Sequence, residues 1–521
     1  MYKDRKIRKR LIAFFCTAAL MCSVCSAAAY SYFSSAEEGG DHYQDASSIQ
    51  LGEPVLNKAE DEVEFSLENL TDADKDVVVQ IDHYKDQAFV NRDEYKLTLP
   101  SGTEQTNLSL PAQPGSRFTL ADSTGSVYKD KKELGTYDWV GTWASSQLEA
   151  VNENAPPKPG LSGNTFRQFI RPSTGGEKIR LKFSNKVGKT PVELKSVHIA
   201  NQVNAARSDI DPATDTVVTF NGSESVSIPA GDMVVSDPID YKVDPLQLIA
   251  VSTHFGEVPA NITSHTGARC NNHFAEGNRV SDESLGNDLN RRRVSWYFLE
   301  GMDVMSPERN EAVVCFGDSI TDGYGTNPNK YQRWTDAFAE KLLENESTSH
   351  LSVLNQGIGG NSIFGGLGQA AKDRFDHDVL EQPGAKYLVM LMGINDIGYA
   401  TDESLTARMI EQYEIMIDKA HEKGMKVYMC TILPFKGNNY YSDNEGPLRE
   451  KIRLAVNEWI LTKSEADEVI DLSAAFTDPE DPEKMIEEFS NDWLHPNAAG
   501  YREIGRIVYE AMMKGEGFDA K

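Results

Sequence analysis

The segment Ala312-Val-Val-Cys-Phe-Gly-Asp-Ser-Ile-Thr-Asp-Gly-Tyr-Gly325 constrains this chain more than any other. An apolar run ends abruptly in Gly-Asp-Ser and then in glycine-rich sequence. Short continuous apolar runs bounded by turn residues read as strands buried on both faces, the kind that parallel sheets use. The segment therefore predicts a strand that delivers Ser319 to the carboxyl edge of an open α/β sheet, where reactive groups collect. Three later segments repeat the pattern: Leu351 to Asn361, Tyr387 to Asp396, and Asp492-Trp-Leu-His-Pro-Asn497.

Each of these ends carries groups suited to acyl transfer. A serine hydroxyl is a poor nucleophile near neutral pH, so it needs a base within hydrogen-bond reach and a third group that holds the base in one tautomer. His495 and Asp492, three residues apart before a predicted helix, suit those two roles. The glycines Gly359 and Gly360 permit a tight turn with bare backbone amides, and Asn395 offers a side-chain amide donor. Each residue also has a bland reading. Ser319 could cap a helix, Gly360 could simply form a turn, Asn395 could be a turn residue, Asp492 could be a solvated carboxylate, and His495-Pro496-Asn497 could be a helix start, with Asn497 capping Ala498 to Met513. Four such accidents in this order make a poor explanation.

The four blocks resemble those of the SGNH, or GDSL-type, esterases and lipases. Carried across residue by residue, the resemblance implies that Ser319 in Gly-Asp-Ser-Ile is the nucleophile and that its own amide is one oxyanion donor. In Asn355-Gln-Gly-Ile-Gly-Gly-Asn361 it places the oxyanion glycine on Gly360, with Gly359 as the alternative register. Gly393-Ile-Asn-Asp396 assigns a side-chain oxyanion donor to Asn395, and Asp492-x-x-His-Pro496 assigns the acid and base to Asp492 and His495. No block departs from the pattern. The implied fold is a three-layer α/β/α, flavodoxin-like domain over about residues 306–515, and the implied activity is that of a serine esterase needing no cofactor. Lysophospholipase, lipase and thioesterase activities are the alternatives within hydrolases, and a cell-surface glycan-binding protein on a hydrolase scaffold is the alternative of another class.

Other catalytic schemes have little support. Gly-x-Ser-x-Gly is absent, as are His-Glu-x-x-His and paired Cys-x-x-Cys in the mature chain, so neither an α/β-hydrolase elbow nor a zinc site is expected. The remaining histidines are scattered, and His377 in Arg374-Phe-Asp-His-Asp378 is the one tempting candidate, on a polar segment that reads as helical.

At 521 residues the chain exceeds one ordinary domain. Lys3 to Arg10 is basic, Leu11 to Cys25 is apolar and Ser26-Ala-Ala-Ala29 offers small-residue cleavage sites, so residues 1–29 read as a secretory signal, with retention as an N-terminal anchor the alternative. Outside it Cys270, Cys315 and Cys430 remain, an odd and sparse count from which no disulfide framework follows. The chain's formal charge is -28, and the leader holds six basic side chains against one acidic, which leaves -33 for the rest. Nucleic acid and anionic membranes are poor partners for such a surface; a small-molecule or polysaccharide ester is the expected one.

After a linker over residues 30–48, alternating segments such as Val63 to Leu67 and the apolar Val77 to Ile81 predict a small β-sandwich over residues 49–132. A second β-rich region is expected over residues 137–300, where Ile179 to Ser184 and Val192 to Ile199 alternate at period two. Trp139-Val-Gly-Thr-Trp143, Phe166 to Arg171 and Ile228-Pro-Ala-Gly231 resemble the β-domain of one branch of secreted bacterial GDSL-type esterases. Beyond it, Met425 to Thr431 predicts another parallel strand, and Leu405 to Lys423 and Arg449 to Leu461 have helical periodicity.

Overall fold

The structure, a computed structural model, describes residues 49–518 apart from 52–53, 57–61, 86–87, 103–105, 113–115, 123–126, 134–138, 306–310 and 439–446. The expected leader and linker lie outside the described residues. The chain divides into two compact units, one ending at Leu134 and the other beginning at Gly135.

In the first unit, the strands Glu62–Asn69 and Thr106–Pro111 pair antiparallel in one sheet, and Ala88–Leu99, Lys75–Lys85, Arg117–Asp122 and Val127–Glu133 lie in that order in a second. Alternation along these strands turns Val63, Phe65 and Leu67 from one sheet and Val77, Val79 and Ile81 from the other into a common core. Phe65 meets Phe118 edge to face at 5.0 Å between the sheets. This is a small β-sandwich.

The second unit joins a β-rich half to an α/β half around one continuous core. In the β-rich half, Val192–Asn201, Ile249–Phe255, Asn164–Ile170 and Asn272–Glu276 form the middle of one antiparallel sheet, and Gly176–Ser184, Leu299–Met305 and Trp139–Ala144 lie in that order in another, with Trp139–Ala144 at its edge. Trp143 is buried, with its ring 4.9 Å from that of Trp296.

The α/β half is a five-stranded, wholly parallel sheet in the order Leu351–Gly357, Glu311–Gly317, Ala385–Leu391, Lys426–Cys430, Glu468–Ile470. In chain order this is 2-1-3-4-5, the flavodoxin-like arrangement, whose ligand crevice lies where the connections reverse direction, between the first and third strands. Val313 to Phe316 and Leu388 to Met390 are fully buried or nearly so, as strands covered by helices on both faces require. The helices Trp334–Leu343 and Ala498–Glu516 pack together on one side, and Ser404–Glu422 packs with Leu448–Lys463 on the other. The chain is thus a three-layer α/β/α domain preceded by β-rich regions.

The two halves of this unit are hydrogen-bonded to each other. Gly141 N–H donates to the Pro383 carbonyl at 2.9 Å, and Ser352 Oγ donates to the Gly141 carbonyl at 2.6 Å. No helix among the described residues is long and apolar enough to cross a membrane. Cys270, Cys315 and Cys430 are free and buried, and burial pushes the thiol of Cys270 up to about 12.

Candidate active site

Ser319 opens a one-turn helix, Ser319–Asp322, directly after the strand Glu311–Gly317. Its neighbour Asp318 caps that turn, accepting from Ile320 N–H at 3.0 Å, so Ser319 keeps its hydroxyl for another partner. That partner is His495, whose Nε2 lies 2.9 Å from Ser319 Oγ.

His495 comes from the loop before the helix Ala498–Glu516. Asn497 caps this helix, accepting from the amides of Ala499 at 2.9 Å and Gly500 at 3.1 Å. The helix start that the bland reading expects is present, and it is compatible with the chemical one: the cap fixes the loop, and the loop presents the imidazole. His495 Nδ1 is 2.9 Å from Asp492 Oδ2, while Asp492 Oδ1 accepts from the backbone amides of His495 at 2.7 Å and Leu494 at 3.1 Å. Burial pushes the Asp492 carboxyl up, but the hydrogen bonds from the His495 ring and amide outweigh it and hold the group down at about 2. The ionised carboxylate thus selects the tautomer with the proton on Nδ1, which leaves Nε2 able to accept from serine. The ring of Tyr324 lies against the imidazole at 4.3 Å.

Across the cleft, the loop after Leu351–Gly357 makes a turn in which Asn361 N–H donates to the Ile358 carbonyl at 3.1 Å. Gly360, third in that turn, has φ +73°, the left-handed conformation that favours glycine. Asn395 lies in the short helix after Ala385–Leu391; its amide donates to the Asn361 carbonyl at 2.8 Å, which fixes its orientation. Ser319, Gly359, Gly360, Asn395, Asp492 and His495 line one open cleft. Asn154, Thr266 and Arg269 of the β-rich half line it too.

Sequence reasoning missed Arg374. Its guanidinium is buried and ties the first two of the four blocks together: it donates to Gly317 O at 2.9 Å, to Gln356 O at 2.9 Å and to Asn361 Oδ1 at 3.0 Å. Asp378 takes a further hydrogen bond at 2.8 Å, and the plane stacks 4.2 Å over Phe316. A lone arginine has no local signature, because its meaning lies in partners far away in sequence. His377, in the same segment, faces the β-rich half instead, with Nε2 2.5 Å from Glu300 Oε1. Asp318 and Asp396 sit near Arg374 and Asn395 and are both raised, to about 7 and about 6, chiefly by burial. Among the described residues no group of His, Cys, Asp and Glu is arranged to hold a metal ion.

Comparison with known proteins returns three kinds of result. No curated protein matches the chain. Among solved structures, an acetyl xylan esterase is 23% identical, with 38% of this chain and 98% of that one covered at a TM-score of 0.31. A GDSL-like lipase from Bacteroides thetaiotaomicron is 17% identical, covering 39% of this chain and 88% of that one at 0.30. A catalytic mutant of an acetylxylan esterase from Geobacillus stearothermophilus is 19% identical, covering 40% and 95% at 0.30. The family described as GDSL-like lipase/acylhydrolase matches residues 315–503, the span that holds all four blocks. With the parallel sheet and the block order already described, this makes residues 315–503 a GDSL-like lipase/acylhydrolase domain.

Proposed function

We propose that this protein is a serine carboxylic-ester hydrolase that forms an acyl-enzyme on Ser319. The observation that carries the reading is the chain Ser319 Oγ, His495 Nε2, His495 Nδ1, Asp492 Oδ2, with 2.9 Å at each hydrogen bond, opening into a cleft shared with Gly360 and Asn395. Ser319 Oγ attacks the ester carbonyl while its proton passes to His495 Nε2. The oxyanion accepts from Ser319 N–H, Gly360 N–H and the Asn395 amide, and His495 returns its proton to the departing alcohol. The first N–H of a helix has no acceptor within that helix, which suits Ser319 N–H to this role. Water then attacks the acyl-enzyme, giving its proton to His495, and the carboxylic acid leaves as Ser319 is reprotonated. These steps use no cofactor.

The cleft wall favours a short acyl group, acetyl first, on a carbohydrate alcohol. Large apolar side chains come from Tyr324, Leu367 and Leu494, while Asn154, Thr266, Arg269 and Asn438 offer hydrogen-bonding groups that suit a polyol. A long acyl chain lacks a continuous apolar wall there, and the acidic surface opposes anionic lipid. Residues 1–29 support action outside the cell.

Ser319→Ala tests the reaction: turnover of nitrophenyl acetate should fall by about 10³-fold or more, and a fluorophosphonate should label only the parent. Near-parental turnover by the variant would overturn the assignment. A nitrophenyl ester series run beside acetate release from acetylated xylan and pectin tests the substrate. Rates rising with acyl length, with no acetate from any glycan, would favour lipid esters instead.

A further inference from the structure

A cluster of charged side chains outside the triad lies where the β-rich half meets the nucleophile turn. Ser319–Asp322 is a single helical turn, too short to hold itself by its own hydrogen bonds. Asp322 ends it, with a side chain 3% exposed. An ionised carboxylate so buried is tolerated only with good partners, so those partners decide where it sits. Both of its side-chain partners come from the β-rich half: His265 Nε2 is 2.9 Å from Oδ1, and Arg269 donates to Oδ2. Arg333 closes the cage, donating to the Asp322 carbonyl at 3.0 Å and to the Gly267 and Ala268 carbonyls at 2.9 Å each. Burial works to raise the Asp322 carboxyl, yet Arg269 and His265 hold it down at about 2.

The connection continues past His265. Its Nδ1 is 2.8 Å from the Ser146 carbonyl, and its ring lies 5.5 Å from that of Trp296. Ser146 Oγ donates to Gln356 Oε1 at 2.6 Å and accepts from Arg374 at 3.0 Å. Arg374 in turn holds Asn361, whose carbonyl orients Asn395. An unbroken path therefore runs from the nucleophile turn to the oxyanion side, and two of its links, His265 and Ser146, belong to the β-rich half.

We propose that His265 is a positioning residue for Ser319: with Arg269 it clamps Asp322, and Ser146 carries the same restraint to the oxyanion loop. The β-rich half is then a working part of the active site, not a spacer or a separate glycan-binding module. This rests on the ester-hydrolase reading above. The test uses the full chain, with nitrophenyl acetate kinetics and fluorophosphonate labelling of His265→Ala, His265→Gln and Ser319→Ala. His265→Ala should lower kcat by about 100-fold, as a displaced nucleophile does, slow labelling in parallel, and leave KM within about twofold. His265→Gln, which keeps an N–H able to reach Asp322, should recover most of the loss. Parental kcat in His265→Ala overturns the proposal, as does His265→Gln no better than His265→Ala. If His265→Ala does not fold, Asp322→Asn replaces it, and parental kcat there has the same force. Should Ser319→Ala retain turnover, the ester-hydrolase reading fails; loss there with parental His265→Ala kinetics rejects the clamp alone.

Discussion

At the scale of single residues, the proposed reaction divides the site into groups that would meet the substrate and groups that hold them. Asn395 belongs to the first set by its place on the cleft wall, so Asn395→Ala should lower kcat by about 10² to 10³-fold with little change in KM, because its hydrogen bond strengthens as the oxyanion forms. A change confined to KM would move Asn395 to ground-state binding. Asp318 belongs to the second set, and burial, its largest cause, raises its carboxyl to about 7 from an ordinary 3.8. An acid whose folded pKa is raised binds a proton that the unfolded chain has already lost, so its contribution to stability falls as pH rises from about 4 to about 7. Asp318→Asn can still cap Ile320, and it should flatten the fall in Tm between about pH 4 and about pH 7. An unchanged slope would show that another group, such as Asp396, carries it. What was legible at this scale followed from locality. Ser319, Asn395, Asp492 and His495 each sit in a motif a few residues long, whereas Arg374 and Asp322 acquire meaning through Gly317, Gln356, Ser146 and His265, which no window of sequence contains.

At the scale of elements, the pattern of strand followed by polar cluster was readable because strands buried on both faces leave a continuous apolar signature. Lys426–Cys430 and the helices Ser404–Glu422 and Leu448–Lys463 lie within a residue or two of where their periodicity puts them. The contact between elements was not readable. The strand Leu351–Gly357 ends against the nucleophile turn so closely that a Cβ on Gly357 would lie 2.3 Å from Asp322 N and 2.7 Å from the Thr321 carbonyl carbon. Both atoms are backbone, so neither can swing aside. Gly357→Ala should therefore shift the turn and cost about 100-fold in kcat. Spectra and Tm report whether the fold survives; a folded variant with parental kcat would show that the turn tolerates the shift. Asn497→Ala makes a useful contrast, since losing the cap should lower stability by about 1 kcal/mol while loosening the loop that carries His495.

At the scale of the whole molecule, the two compact units have separate hydrophobic cores, the first built from Val63, Phe65, Val77 and Phe118 among others, and the second running through both the β-rich half and the α/β half. A unit with its own core can unfold in its own transition. The boundary between the β-rich and α/β halves, expected from the sequence near residue 306, has no such meaning for cooperativity: Ser146, Gln356, His265 and Asp322 are hydrogen-bonded across it in the interior. Two deletions should then behave differently. Removing residues before 135 takes away no triad residue, no cleft-lining residue and no link in the path from Asp322 to Asn395, so kcat/KM for nitrophenyl acetate should stay within about twofold of the parent, while one calorimetric transition disappears. Removing residues up to 305 strips His265, Arg269 and Ser146 from buried charged partners, and a buried carboxylate left without its partner destabilises by about 3 to 5 kcal/mol, so that fragment should be unfolded or inactive. Full activity in the shorter fragment would contradict the integration of the two halves, and loss of activity on removing the first unit alone would show that the small sandwich does more than fold independently.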